Sequence, residues 1–239
     1  FRISTFNERT TELLEDAFAA ASKEIGGRPE GIVLDLRNNG GGLLDQAISV
    51  TDKFLSGGEV VSTIGRRPSD IARYNARSGE VFQNVPVVIL INNGTASASE
   101  IVAGALQDRG RATVLGMTSF GKGSVQTVIP LGTDRGAIRL TTSRYYTPSG
   151  RSIQSTGIVP DMEVAQTRVS EEELARIRRF SEADLPNALS NEDGVEREIP
   201  HLPKEQPPED YEGDDYQLDR ALEVLRGGQM SATEAPQAG

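Results

Sequence analysis

The chain has no cysteine, no tryptophan and only one histidine, His201. The first absence excludes a disulfide framework, thiolate-ligated zinc and a cysteine nucleophile. Aromatic residues make up 5% and apolar residues 36%, lean but sufficient for a core. No apolar run reaches the roughly 18 residues of a membrane span, and no signal-peptide pattern is present. Basic charge is also short. The 25 Lys and Arg against 35 Asp and Glu give a net charge of −10. That balance argues against a chain built for nucleic acid or an anionic membrane surface. The 239 residues fit one domain or two.

The negative charge is unevenly placed. Residues 1–180 hold 21 basic and 20 acidic residues, whereas 181–239 hold 4 and 15. The composition therefore divides the chain into a nearly neutral body, 1–165, and an acidic C-terminal extension, 166–239. The opening Phe1-Arg2-Ile3-Ser4 reads as the middle of a strand, as expected of a piece of a longer chain.

Periodicity predicts a helix over 8–25, with Leu14, Phe18, Ala21 and Ile25 on one face and Asn7 as its cap. A buried strand at 31–36 runs into a Gly-rich loop and then a helix over 43–55. A second strand is expected at 59–64 and an irregular polar stretch at 66–84. The apolar run 86–91 reads as another buried strand, broken by Asn92-Asn93-Gly94 before a helix over 97–108. Strands at 112–116, 124–130 and 137–144 follow. This alternation predicts an α/β layer fold. In the extension, 170–180 and 216–226 read as helices and 190–215 as an extended acidic segment. The extension is expected to be a solvated wrap or a contact surface for another subunit, whose deletion leaves the chemistry intact.

Ser97 follows a strand and a small-residue turn, which places it at a helix N-terminus. Free N–H groups there suit a nucleophile with an oxyanion site beside it. Ser97-x-x-Glu100 is equally a capping box, which needs no chemistry. A base for the serine has two candidates. His201 would complete a triad only if the acidic segment were recruited. Lys122, between Gly121 and Gly123, would need a pKa near 7–8 instead of about 10.4, a cost of roughly 4 kcal/mol. A surface lysine on a turn is the plain alternative. Gly116 to Lys122 also matches G-x-x-x-x-G-K, but Gly123 replaces the Ser or Thr and a strand is expected to follow, so nucleotide binding is disfavoured. The loop 37–42 lacks the spaced third glycine of a dinucleotide turn. If strands 31–36 and 86–91 are parallel neighbours, the Gly loop and Ser97 project from one sheet edge.

Four segments together resemble the carboxyl-terminal processing, or tail-specific, proteases. They are Asp35-Leu-Arg-Asn-Asn-Gly-Gly-Gly-Leu-Leu-Asp-Gln-Ala47, Gly94-Thr-Ala-Ser-Ala-Ser-Glu-Ile101, Gly121-Lys-Gly-Ser-Val-Gln126 and Gly157-Ile-Val-Pro-Asp161. The resemblance covers about residues 1–165. It implies a serine endopeptidase with a crotonase-like layered core. Ser97 falls on the nucleophile, Lys122 on the general base and Gln126 on the residue that orients it. The backbone N–H groups of Ala98 and Gly41 fall on the oxyanion hole. Gly40 stands where the family usually has proline. The resemblance implies no metal and no cofactor. It also implies protein or peptide substrates with apolar C-termini, a PDZ domain N-terminal to residue 1, and an extracytoplasmic location. A homo-oligomer or an adaptor stays open as a partner. A non-catalytic binding module, incomplete without the PDZ domain, is the alternative.

Overall fold

The structure is a computed structural model. It describes residues 1–77, 80–82, 84–133, 135–170, 172, 174, 180–192, 194–195 and 201–227. Two sheets carry the site. The first is parallel, with strands β1 (Ile32–Asp35), β4 (Val87–Ile91), β5 (Thr113–Gly116) and β8 (Met162–Glu163) in that order. The second is antiparallel, with β2 (Gly58–Gly65), β3 (Ile71–Ala76), β6 (Ser124–Pro130) and β7 (Ala137–Tyr146) in the order β3-β2-β7-β6. The expected α/β class holds. The expected irregular stretch 66–84 does not, because β3 occupies its centre and pairs with β2.

Ile32 pairs with Val87 and Asp35 with Leu90, in parallel register. The loops that follow β1 and β4 therefore leave the same edge, as the sequence suggested. The opening residues extend along β1, with the Ile3 N–H donating to the Asp35 carbonyl at 3.1 Å. Every residue of β4 is buried, which suits an apolar run covered on both faces.

Three helices cover one face: α1 (Thr10–Glu24), α2 (Leu44–Asp52) and α3 (Ala98–Asp108). They bury Leu34, Phe54, Ile89, Ile91, Val102 and Leu106 in the main core. Asn7 lies outside α1. Its side chain accepts the Arg9 N–H at 3.0 Å, and Arg9 takes the capping position without a side-chain bond.

The other face is closed by the C-terminal extension. Helix α4 (Tyr216–Leu225) packs Ala221 against Val88, Leu90, Leu115 and Val164. Asp215 caps it by accepting the Leu218 N–H at 3.0 Å. Gln217 Nε2 donates to the Val164 carbonyl at 2.7 Å. Among the described residues of the extension, α4 is thus a structural cover over buried β-strands where a solvated wrap was expected. The helix expected at 170–180 falls largely outside the described residues.

Candidate active site

Ser97 is the hinge between β4 and α3. Its backbone sits at φ 58° and ψ −115°, a conformation that favours glycine. A serine held there stores strain of about 1–3 kcal/mol, of the kind that gathers at functional sites. The turn before it is pinned to the Gly loop. Thr95 Oγ1 donates to the Leu36 carbonyl at 2.9 Å. The Asn38 N–H donates to Asn92 Oδ1 at 2.9 Å, and Asn92 Nδ2 returns a bond to Asn38 Oδ1 at 2.9 Å. The Ala96 N–H and the Ser99 hydroxyl both donate to the Asn39 carbonyl, at 2.9 and 3.0 Å.

Gly41 is pressed directly against the serine. A Cβ at Gly41 would lie 2.8 Å from Ser97 Cβ and 2.9 Å from the Ala98 nitrogen, and φ at Gly41 is +97°. Only glycine lets the loop approach this closely. The Gly41 N–H, expected in the oxyanion hole, donates to Asn39 Oδ1 at 2.9 Å. Asn39 is itself buried, its amide nitrogen donating to the Ile3 carbonyl at 2.7 Å. Ala98 opens the first turn of α3, where backbone N–H groups lack intrahelical acceptors.

Glu100 joins the parts of the site. Its side chain is fully buried and accepts four hydrogen bonds. Oε2 takes the N–H of Ser97 at 2.7 Å and of Lys122 at 2.9 Å. Oε1 takes the Ser119 hydroxyl at 2.6 Å and the Gly121 N–H at 2.7 Å. One carboxylate oxygen thus sets the backbones of Ser97 and Lys122 side by side. Burial pushes the Glu100 carboxyl up to about 7, while the four donors pull in the opposite direction. The glutamate half of the capping box therefore forms. The Glu100 N–H goes to the Ser97 carbonyl at 2.9 Å.

Lys122 is half-buried in the loop between β5 and β6. Gly123 has no room for a side chain, since a Cβ there would collide with the Gln154 nitrogen. Its N–H donates to Gln154 Oε1 at 3.1 Å. Gln126 lies four residues along on exposed β6, opposite Thr141. The structure thus gathers Ser97, Ala98, Gly41 and the Lys122 backbone, with Gln126 on the strand leading away. Its one histidine is engaged elsewhere: His201 Nε2 lies 2.9 Å from Glu163 Oε2 on β8. Strand β6 follows Lys122 where a nucleotide-binding loop would need a helix.

The Ser-x-x-Glu pattern marks Glu100 only as a cap. No local pattern marks Asn39 as the link between the Gly loop and Ile3, or Ser119 as a partner of Glu100 19 residues away.

A buried strand, the strained Ser97 turn and a helix, with the Lys122 loop alongside, make up the candidate site on this α/β core. Residues 1–164 match the model of peptidase family S41, and the chain belongs to that family. It is 48% identical over 238 residues to the carboxy-terminal-processing protease of Bartonella bacilliformis, a match covering 95% of this chain and 51% of that protein. It is 39% identical over 167 residues to the carboxy-terminal processing protease of Bacillus subtilis, covering 69% of this chain and 33% of the relative. The solved photosystem II D1 C-terminal processing protease superposes with a TM-score of 0.61 at 40% identity, over 68% of this chain and 41% of that one. The chain spans about half the length, or less, of these curated relatives.

Proposed function

We propose that this chain is the peptidase core of a serine endopeptidase that cleaves protein substrates near their C-termini. The observation that carries the reading is the strained Ser97 at the start of α3, its N–H sharing Glu100 Oε2 with the N–H of Lys122. In the proposed reaction the neutral Lys122 amine takes the Ser97 hydroxyl proton as Oγ bonds to the peptide carbonyl carbon. The oxyanion is received by the Ala98 N–H and by the Gly41 N–H, which must turn to it from Asn39. Collapse breaks the C–N bond, and the leaving amine takes the proton from Lys122. Water, deprotonated by the same lysine, then attacks the acyl carbon, the C–O bond to Ser97 breaks, and Oγ takes the proton back from Lys122. Gln126 would orient the lysine amine.

The relatives' names support cleavage near a C-terminus; the layered crotonase-like core, a PDZ domain in the parent and an extracytoplasmic location rest on the family resemblance alone. Apolar substrate C-termini are part of the same reading. Peptide cleavage by the purified chain, compared with Ser97→Ala and Lys122→Ala, tests the reaction. Cleavage that survives either substitution would overturn it. The occupied Gly41 N–H favours one other reading, a binding module whose site is unformed in isolation. Cleavage that depends on Ser97 would dispose of it.

A further inference from the structure

The acidic extension meets the root of the Gly loop at Arg37. Arg37 is the first residue after β1 and the root of the loop that carries Asn39 and Gly41. Its guanidinium makes a two-point contact with Asp215 on the C-terminal extension, Nη1 to Oδ1 at 2.8 Å and Nη2 to Oδ2 at 2.7 Å. A second two-point contact binds Asp35, with Nε to Oδ1 and Nη2 to Oδ2 both at 2.9 Å. Nη1 also reaches Gln217 Oε1 at 3.1 Å. All five guanidinium donors have acceptors, so the group has one orientation. The Asp35 Oδ1 that holds Nε also accepts the Arg37 N–H at 3.0 Å, which ties side chain and loop backbone together.

Two features separate this contact from simple anchoring of α4. The helix is already seated by Ala221 in its core cluster and by Gln217 on the Val164 carbonyl. An open cleft lined by Arg37, Asn38, Asn92, Asn93 and Asp215 also borders the pair, giving the arginine room to swing if Asp215 releases it. Arg37 is followed directly by Asn38 and Asn39, the residues that lock the Gly loop to the Ser97 turn.

We propose that Asp215 is a positioning residue for the peptidase reaction: from the C-terminal extension it holds Arg37, and through Arg37 it keeps the oxyanion loop in register with Ser97. This rests on the peptidase reading above.

Asp215→Ser is the informative variant. Serine caps a helix about as well as aspartate, so α4 stays seated, but its hydroxyl cannot span to the guanidinium. In the 239-residue chain we expect kcat to fall about tenfold with KM changed less than about twofold, the loss of one charged hydrogen-bonded contact. Amide exchange across residues 38–42 should quicken by about tenfold at a similar melting temperature. In an Arg37→Met background the same substitution should have no further effect on either quantity. Unchanged loop exchange in Asp215→Ser, or a full additional effect without Arg37, would overturn the proposal. Should Asp215→Ser fail to fold, Asp215→Asn keeps the cap and one acceptor and carries the same test with an effect of about threefold. A wild-type chain with no Ser97-dependent cleavage would overturn the peptidase reading, and the exchange measurement alone would then decide whether Asp215 holds the loop.

Discussion

Replacing Glu100 with glutamine changes one atom and should unsettle the whole site. The carboxylate accepts two donors on each oxygen: Ser97 and Lys122 on one, Ser119 and Gly121 on the other. A glutamine amide can present its oxygen to only one of those pairs. Its NH2 group then faces the other two donors. The Ser119 hydroxyl already accepts the Ile158 N–H at 2.7 Å and can turn to accept from the amide as well. The amide should therefore place its nitrogen toward Ser119 and Gly121, leaving the Gly121 N–H unmet. An unmet buried donor costs about 1–3 kcal/mol, and the displaced hydroxyl adds to it, for a total of about 2–4 kcal/mol.

The pH dependence has a definite sign. Burial raises the folded carboxyl to about 7, from an ordinary value of 4.5. Its contribution to stability is therefore complete below the ordinary value and lost as pH rises through the folded one. The wild type should lose up to about 3 kcal/mol across that window, and the glutamine variant should not. Urea unfolding of both proteins at pH 5.5 and 8.5 measures this. At pH 5.5 the protonated carboxyl places its own O–H among the same four donors, so the gap there should be smaller than the carboxylate comparison gives, and it should narrow further or reverse at pH 8.5. Cleavage by the wild type should move the opposite way, rising as Glu100 ionises and accepts from Ser97 and Lys122 together. A gap that widens as the pH rises would argue against a raised Glu100.

Three further outcomes are expected. Gly41→Ala drives a methyl to within 2.9 Å of the Ser97 Cβ and Ala98 nitrogen at an unfavourable φ, so peptide cleavage should drop more than about tenfold and stability by roughly 1–3 kcal/mol. Ser97→Gly relieves the strained φ of 58°, so it should abolish cleavage while raising urea-unfolding stability by about 1 kcal/mol; a loss of stability would argue against strain. Removing residues 215–239 uncovers Val88, Leu90 and Leu115, and with burial worth about 1.5–3 kcal/mol per large apolar side chain, the truncated chain should melt well below the wild type and bind a hydrophobic dye. An unchanged melting temperature would show that α4 is dispensable.

Much of the architecture was legible because it is written in local patterns. The runs Ile32–Asp35 and Val87–Ile91 are apolar and bounded by turn residues, and their parallel pairing put both loops on one edge. Strand β3 was missed because Arg73 and Asn75 interrupt an edge strand whose residues alternate only between half-buried and exposed. Helix α4 was located, but its role was not. Its apolar stripe of Leu218, Ala221, Val224 and Leu225 is surrounded by acidic residues, so composition spoke for solvent. At the site, Ser97 and Glu100 were marked by a capping pattern. That Glu100 also grips Ser119, Gly121 and Lys122 depends on a loop some 20 residues on, which no local period reveals. The pairing of Arg37 with Asp215 spans 178 residues and lies wholly in tertiary structure.

In the proposed reaction Ser97 is a nucleophile activated by Lys122. Labelling the 239-residue chain with a fluorophosphonate and mapping the adduct by mass spectrometry tests it most directly. A single adduct is expected on the peptide carrying Ser97, and it should be lost in Lys122→Ala. An unlabelled Ser97, or labelling that continues at the same rate without Lys122, would contradict it.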